Sequence, residues 1–406
     1  MIRPFIVISC EHGGNIVPAP YTSLFIGQEE VLDSHRGSDL GALQVAEILA
    51  SALRAPLFFT TTSRLLIDTN RSPSHKDLFS NFSRTLHPME RERVIQKHYL
   101  PHRELVNTVI GTALEQREQV IHLAIHSFTP VLGNTIRKTD LGLLYDSRRP
   151  KEQEVCHRWQ HALTARRPDL CIHRNAPYRG ASDGLATTLR KHHTQNNYLG
   201  IEVEINQKLL SSVSEQHEIA TLLWHTLLSC LNIPQPKPST ASRDEIVAIV
   251  DEENQVTGQA PRSEMRRHRL IHRACYILVT NHYGEIFVQK RTPTKDIYPG
   301  YFDIAAGGVV LAGETYEESA QRELAEELGI NGDMEHLIDT YFADEGNKVW
   351  GRVFRCRHEG PFILQETEVE SGKFMTTKAI MAETGGKFTP DGLAILATLK
   401  CEKLKE

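Results

Sequence analysis

Cysteine is sparse in this sequence. Its 406 residues hold seven: Cys10, Cys156, Cys171, Cys230, Cys275, Cys356 and Cys401. An odd count with no CxxC pair argues against a disulfide frame or a zinc ribbon and predicts the reduced thiols of a cytosolic protein. Long apolar runs are missing too. No stretch approaches the ~20 residues of a membrane helix. The first apolar run, in MIRPFIVISCEHGG, is about five residues long, too short for a signal-peptide core. The expectation is a cytoplasmic protein with no membrane partner. Positive charge is not in excess: the net charge is −5 with histidine neutral. That argues against nucleic acid as a partner held by bulk electrostatics. Small phosphorylated ligands need only a local cluster of charge. No internal repeat occurs.

What is present is ordinary globular composition, 40% hydrophobic and 24% charged, ample for two cores. A length of 406 residues predicts two or three domains. The clearest break is NIPQPKPSTAS over 232–242, where three alternating prolines favour extended backbone and the Ser/Thr tail builds no core. It predicts a first domain over 1–232, a linker over 233–243 and a second domain over 244–406.

Before the break, short apolar runs alternate with helical patterns. PFIVISC (4–10), APLFFTTTS (55–63), VIHLAIHSF (120–128) and YLGIEVEIN (198–206) read as strands. DLGALQVAEILASAL (39–53) reads as a helix with Asp39 as its N-cap, and TLLWHTLLSCL (221–231) as a closing helix. The alternation predicts an α/β domain with a mixed, largely parallel sheet. Ligands of such sheets sit beyond the carboxyl ends of the strands. The polar residues found there are Glu11, His12, Arg64, Asn70, Arg71, His126 and Glu204. After the break, EIVAIVDEENQVTG reads as strand, turn and strand. ACYILVTN, GEIFVQKR and WGRVFRCR are β-rich around one strong helix, which predicts an α+β domain with a mixed sheet.

That helix carries the most specific pattern in the chain. GVVLAGETYEESAQRELAEELGI, from Gly308, fits G-x5-E-x7-R-E-U-x-E-E-x-G-U at every fixed position, with U a bulky aliphatic. Glu323, Glu326 and Glu327 are three and four apart and share one helix face. Unpaired, they repel; a hard divalent cation resolves the conflict with oxygen ligands. Ala320, Leu324 and Leu328 anchor the opposite face, and Gly308 permits a tight loop that returns Glu314 to the cluster. A merely solvated acidic helix explains neither the glycine nor Arg322. The pattern is the signature of the Nudix hydrolases, and the resemblance spans about residues 245–395. It implies Mg²⁺ or Mn²⁺ held by Glu314, Glu323, Glu326 and Glu327, with Glu326 and Glu327 also catalytic, and cleavage of a diphosphate. Gln289, Lys290 and Arg291 precede the box, and Arg291 is the choice for meeting phosphate oxygens. Glu368 or Glu370 would add a further carboxylate. HRACYILVTN, VQKRTPTKD and YPGYFDIAAGG resemble the branch related to isopentenyl-diphosphate isomerase. The isomerase uses a cysteine and histidines that PGYFDIAAGG lacks, so the reading is a hydrolase.

Five earlier pieces, in order, resemble the N-formylglutamate amidohydrolase family, related in fold to the zinc carboxypeptidases and aspartoacylases. They are SCEHGGNIVP (9–18), SHRGSDLGALQVA (34–46), SRLLIDTNRS (63–72), LAIHSFTP (123–130) and YLGIEVEINQ (198–207). Zinc amide cleavage needs about three N/O ligands, an open position and a carboxylate base. The resemblance implies His12 and His126 as ligands and Glu204 as the base. For the third ligand, relatives commonly use H-x-x-E, but here that spacing lands on Asn15. His35, at what looks like a family aspartate position, is the first choice, with Glu11 and Asp39 as alternatives. Glu11 and His12 bind together only if the strand has ended by then. Arg64, Asn70 and Arg71 resemble residues that grip a substrate carboxylate, Arg71 in bidentate fashion. Asn206 stands where many relatives carry arginine.

Together these readings predict a bifunctional hydrolase of small-molecule substrates. A Mg²⁺-dependent Nudix domain would act on a diphosphate-linked, nucleotide-like compound. A zinc-dependent amidohydrolase domain would act on a small N-acyl or N-formyl amino-acid-like carboxylate. The alternative makes the N-terminal domain a non-catalytic ligand-binding module. The sequence specifies no oligomeric state.

Overall fold

Continuous burial along 6–10 and Val120–Phe128 is what a central strand of a parallel sheet requires, because both of its faces are covered. The computed structural model describes residues 4–116, 119–233, 245–295, 297–365, 367–383 and 387–403, without the side chains of 400–403. It divides into two units. One is Met1–Arg243 with Thr257–Pro261; the other is Asp244–Val256 with Arg262–Glu406. From residue 234 to its end, the expected linker lies outside the described residues.

The first unit is an α/β domain. Its strands are β1 (Phe5–Cys10), β2 (Leu57–Phe59), β3 (Val120–Phe128), β4 (Leu141–Leu144), β5 (Ile172–Arg174) and β6 (Tyr198–Asn206). They lie side by side in the order β2-β1-β3-β6-β4-β5. β2, β1, β3 and β6 run parallel, and β4 joins β6 antiparallel. Helices α1 (Ala42–Leu53), α2 (Leu100–Glu115), α3 (Pro150–Arg166), α4 (Leu185–His192) and α5 (Val213–Cys230) accompany the sheet. Val45, Leu49, Trp159, Leu223 and Leu227 fill one core with Ile8, Leu123 and Ile201. Trp159 donates its indole N–H to Thr226 Oγ1 at 2.9 Å, so the largest core side chain leaves no buried donor unpaired.

Helix α1 starts later than the sequence suggests. Its N-cap is Gly41, at φ 76, with no side-chain cap. Asp39 is not the cap: its backbone N–H donates to the carbonyl of His12 at 3.0 Å. That bond ties Asp39 to the end of β1 and turns its carboxylate elsewhere.

The second unit is an α+β domain. Its strands are β7 (Ile246–Val250), β8 (His272–Thr280), β9 (Ile286–Arg291), β10 (Phe302–Asp303), β11 (Met334–Ala343), β12 (Lys348–Arg357) and β13 (Val369–Met375). β8 and β12 are parallel, whereas β9 pairs antiparallel with β8, β10 and β13, so the sheet is mixed. Helix α6 (Tyr316–Leu328) opens with a capping box between Thr315 and Glu318 and closes on Gly329, at φ 65. Ala320, Leu324 and Leu328 are buried against Cys275, Ile277 and Phe354, which leaves the acidic face of α6 turned away from this core.

Candidate active sites

Strand β1 ends at Cys10, so Glu11 and His12 are no longer bound by strand alternation. His12 Nδ1 lies 3.3 Å from Asp39 Oδ2, and His126 Nδ1 lies 2.9 Å from the same oxygen. One ligand atom from each of His12, Asp39 and His126 falls within 4.8 Å of the others, and all three residues are buried. Two imidazole nitrogens and one carboxylate oxygen are a donor set that suits a divalent metal ion. His35, the first choice for third ligand from the sequence, is not in this group. It sits in the turn closed by Gly37 N–H to Ser34 O. Burial, then Arg137, Arg36 and Arg64, lowers its pKa. The alternative, Asp39, is in the group, and its backbone bond ties it to His12.

Each histidine has a second carboxylate at its far nitrogen. His12 Nε2 lies 2.7 Å from Asp68 Oδ1. His126 Nε2 lies 3.0 Å from Glu11 Oε2, an ion-pair contact off the direction of a hydrogen bond. Glu11 also reaches His102 Nε2 at 3.4 Å. Burial and Arg64 oppose protonation of His12, but Asp68 and Asp39 outweigh them and raise its pKa. Burial likewise opposes protonation of His126, yet Asp39 and Glu11 hold it well above the ordinary histidine value. The buried acids around the two imidazoles favour a positive charge there. Asp68 and His102 were not singled out from sequence. Asp68 has a signal, an acid inside the apolar run LLIDT; His102, on a helix, has none.

Glu204 pairs in register with His126 on the neighbouring strand, so both side chains face the same way. Its Oε2 is buried and accepts no hydrogen bond. Burial pushes its carboxyl up to about 7. An unpartnered buried carboxyl at that value beside the histidines has the properties of a general base.

The substrate-gripping residues expected from the sequence are largely occupied. Arg64 pairs with Asp39 at 2.9 Å and lies 3.6 Å from Asp68. Arg71 donates to Asp183 O at 3.0 Å and lies 3.7 Å from Asp68. Asn70 Oδ1 accepts the N–H of Leu185 at the start of α4, at 2.8 Å. Asn206 is fully buried and donates to Thr139 O at 2.9 Å, which is a structural role.

In the second unit Arg322 gathers the acids. Its guanidinium reaches Glu314 at 3.0 Å, Glu323 at 2.8 Å and Glu326 at 3.3 Å. Glu327 is buried; its Oε2 accepts from Gln289 Nε2 and from Gly307 N, both at 3.1 Å. Lys295 bridges Glu327, at 3.2 Å, and Glu368. Glu370 turns outward to Lys290 at 2.8 Å. Burial, then Glu327, pushes Glu323 up to about 7. The all-carboxylate donor set suits a hard divalent ion. Gly308 has a further reason to be glycine: a Cβ there would lie 2.3 Å from a carboxylate oxygen of Glu323. Arg291 is paired with Asp303 at 3.0 Å and donates to Ile297 O at 3.3 Å.

Two units with these side-chain sets are the halves of a two-domain hydrolase. The model of the N-formylglutamate amidohydrolase family matches residues 5–211, and that of the NUDIX domain matches 270–393. Over 155 residues, 38% of this chain, the sequence is 50% identical to Nudix hydrolase YfcD of Escherichia coli K12 and covers 85% of it. Over 158 residues, again 38% of the chain, it is 42% identical to a Nudix hydrolase of Pseudomonas aeruginosa and covers 94% of it. Both relatives are described only as uncharacterized Nudix hydrolases. The crystal structure of the Agrobacterium tumefaciens gene product Atu2144 matches with a TM-score of 0.50 at 28% identity, covering 57% of this chain and 92% of that one. The chain therefore belongs to the N-formylglutamate amidohydrolase family by its N-terminal half and to the Nudix hydrolases by its C-terminal part. Among the described residues no helix is long and apolar enough to cross a membrane.

Proposed function

We propose that the N-terminal domain, over 1–232, is a zinc-dependent amidohydrolase acting on a small N-acyl or N-formyl amino-acid-like carboxylate. The observation that carries this reading is the convergence of His12, Asp39 and His126. Zinc held by these three would supply a Lewis acid and lower the pKa of water. Asp68 and Glu11 fix the two imidazoles from behind, so that each Nδ1 faces the shared centre. Glu204, beside His126, takes a proton from the attacking water on its carboxylate and returns it to the leaving amine nitrogen. The test is metal analysis of the full chain. The reading predicts near-stoichiometric zinc, lost in the His12→Ala/His126→Ala double variant. A chain that takes up no zinc when it is supplied contradicts the reading.

We propose further that the C-terminal domain, over 244–406, hydrolyses a diphosphate-linked, nucleotide-like substrate. Mg²⁺ or Mn²⁺ held by Glu314, Glu323, Glu326 and Glu327 would neutralise the diphosphate and activate water. Arg322 holds Glu314 and Glu323 in place. Gln289 and Gly307 orient Glu327. Incubation with a panel of diphosphates should release phosphate or a nucleoside monophosphate, and Glu326→Gln or Glu327→Gln should abolish the release.

A further inference from the structure

We infer that Arg137, seated against Phe128 and Tyr178, is the residue that grips the substrate carboxylate in the N-terminal site. The inference rests on the amidohydrolase reading and reassigns a task that the family resemblance implies for Arg64 and Arg71. Arg64 is held by Asp39 and lies near Asp68, and Arg71 donates to the Asp183 carbonyl and lies 3.7 Å from Asp68. Arg137 differs: among the described residues no carboxylate lies in ion-pair range of it.

Its position follows from strand periodicity. Phe128 is two residues beyond His126 on β3, so its ring lies on the same face as the imidazole. After β3 a small hairpin, Val131–Leu132 with Thr135–Ile136, turns the chain back, and Arg137 N–H bonds to Pro130 O at 2.9 Å. The Arg137 guanidinium carbon then stands 5.4 Å from the Phe128 ring centroid and 5.1 Å from that of Tyr178. One of its N–H groups donates to Tyr178 Oη at 2.9 Å. Phe128 is only two strand positions from His126 and carries Arg137 on its ring, so the pair borders the same site.

The arrangement is a prepared anion receptor. Two rings lie against the guanidinium, and several of its N–H groups remain for a planar carboxylate. The Tyr178 hydroxyl accepts from Arg137 and keeps its own hydrogen to donate to the same ligand. The half-buried guanidinium orders few new groups on binding, which favours affinity.

The test uses the zinc-loaded full chain carrying Glu204→Gln, which stops turnover, with and without Arg137→Met. Calorimetric titration compares N-formylglutamate with its diamide and N-formylalanine with its carboxamide. Arg137→Met should weaken both acids by about tenfold or more and leave the amides nearly unchanged. Arg137→Lys should recover only part of the loss, because lysine keeps the charge but not the fork. Equal losses for acids and amides would make Arg137 a pin for the hairpin and overturn the inference. Undiminished acid binding in Arg137→Met overturns it alone and leaves the amidohydrolase reading standing. If neither acid binds even with Arg137 intact, both fall.

Discussion

His126 and Glu204 stand opposite each other in register on adjacent parallel strands, the imidazole on β3 and the carboxyl on β6. Strand pairing alone sets a candidate ligand beside a candidate base. The remaining members reach the site from chain that has left the sheet: His12 follows β1, and Asp39 precedes α1.

Asp39 should matter to metal binding and His35 should not. Asp39→Asn removes an oxygen ligand and is expected to lower zinc affinity by roughly 100-fold or more, at or beyond the upper end of the outer-layer effects. His35→Ala should leave zinc content unchanged. Competition with a chromophoric chelator measures both.

The carboxylates behind the histidines should tune affinity without abolishing it. Glu11→Gln and Asp68→Asn are each expected to weaken zinc by about 10–100-fold. The same chelator competition checks this, with circular dichroism to confirm the fold.

Amide cleavage should have an acidic limb set by Glu204. The base must be ionised to take a proton, and burial holds its carboxyl at about 7 in the metal-free protein. The charge of bound zinc pulls that value down. The logarithm of kcat/KM should therefore rise with slope one and flatten at or below pH 7. Glu204→Gln should remove the activity while zinc remains bound. A pH–rate profile with metal analysis tests both statements.

Stabilisation of the Nudix unit by Mg²⁺ should grow with pH. Burial and Glu327 push Glu323 up to about 7, above its unfolded value. The folded state thus favours the neutral acid, and the metal-free unit loses stability as pH rises from the unfolded pKa through about 7. A cation binds the ionised form and offsets that loss. The Mg²⁺-induced shift in Tm, read by scanning fluorimetry, should be larger at alkaline than at mildly acidic pH. Glu323→Gln should flatten the metal-free dependence.

The strands and the acidic helix were legible because local pattern dictates them. VIHLAIHSF is a continuous buried run, YLGIEVEIN is buried but for half-buried Glu202, and Ala320, Leu324 and Leu328 mark the anchored face of α6. The pattern makes Asp39 an N-cap, but nothing local shows that its N–H goes to His12 O, 27 residues away in the chain. The sequence favours His35 as a ligand for the same reason: where its turn points depends on tertiary contacts. His102 could not be found at all, because its partner Glu11 is 91 positions distant.

The most direct test of two separate hydrolytic sites in one chain is a single assay matrix. Amide cleavage and diphosphate cleavage are measured on the full chain, on Glu204→Gln and on Glu327→Gln, with zinc and Mg²⁺ supplied. Glu204→Gln should lose only amide cleavage, and Glu327→Gln only diphosphate cleavage. Loss of both activities in either variant, or of neither in both, would contradict the account.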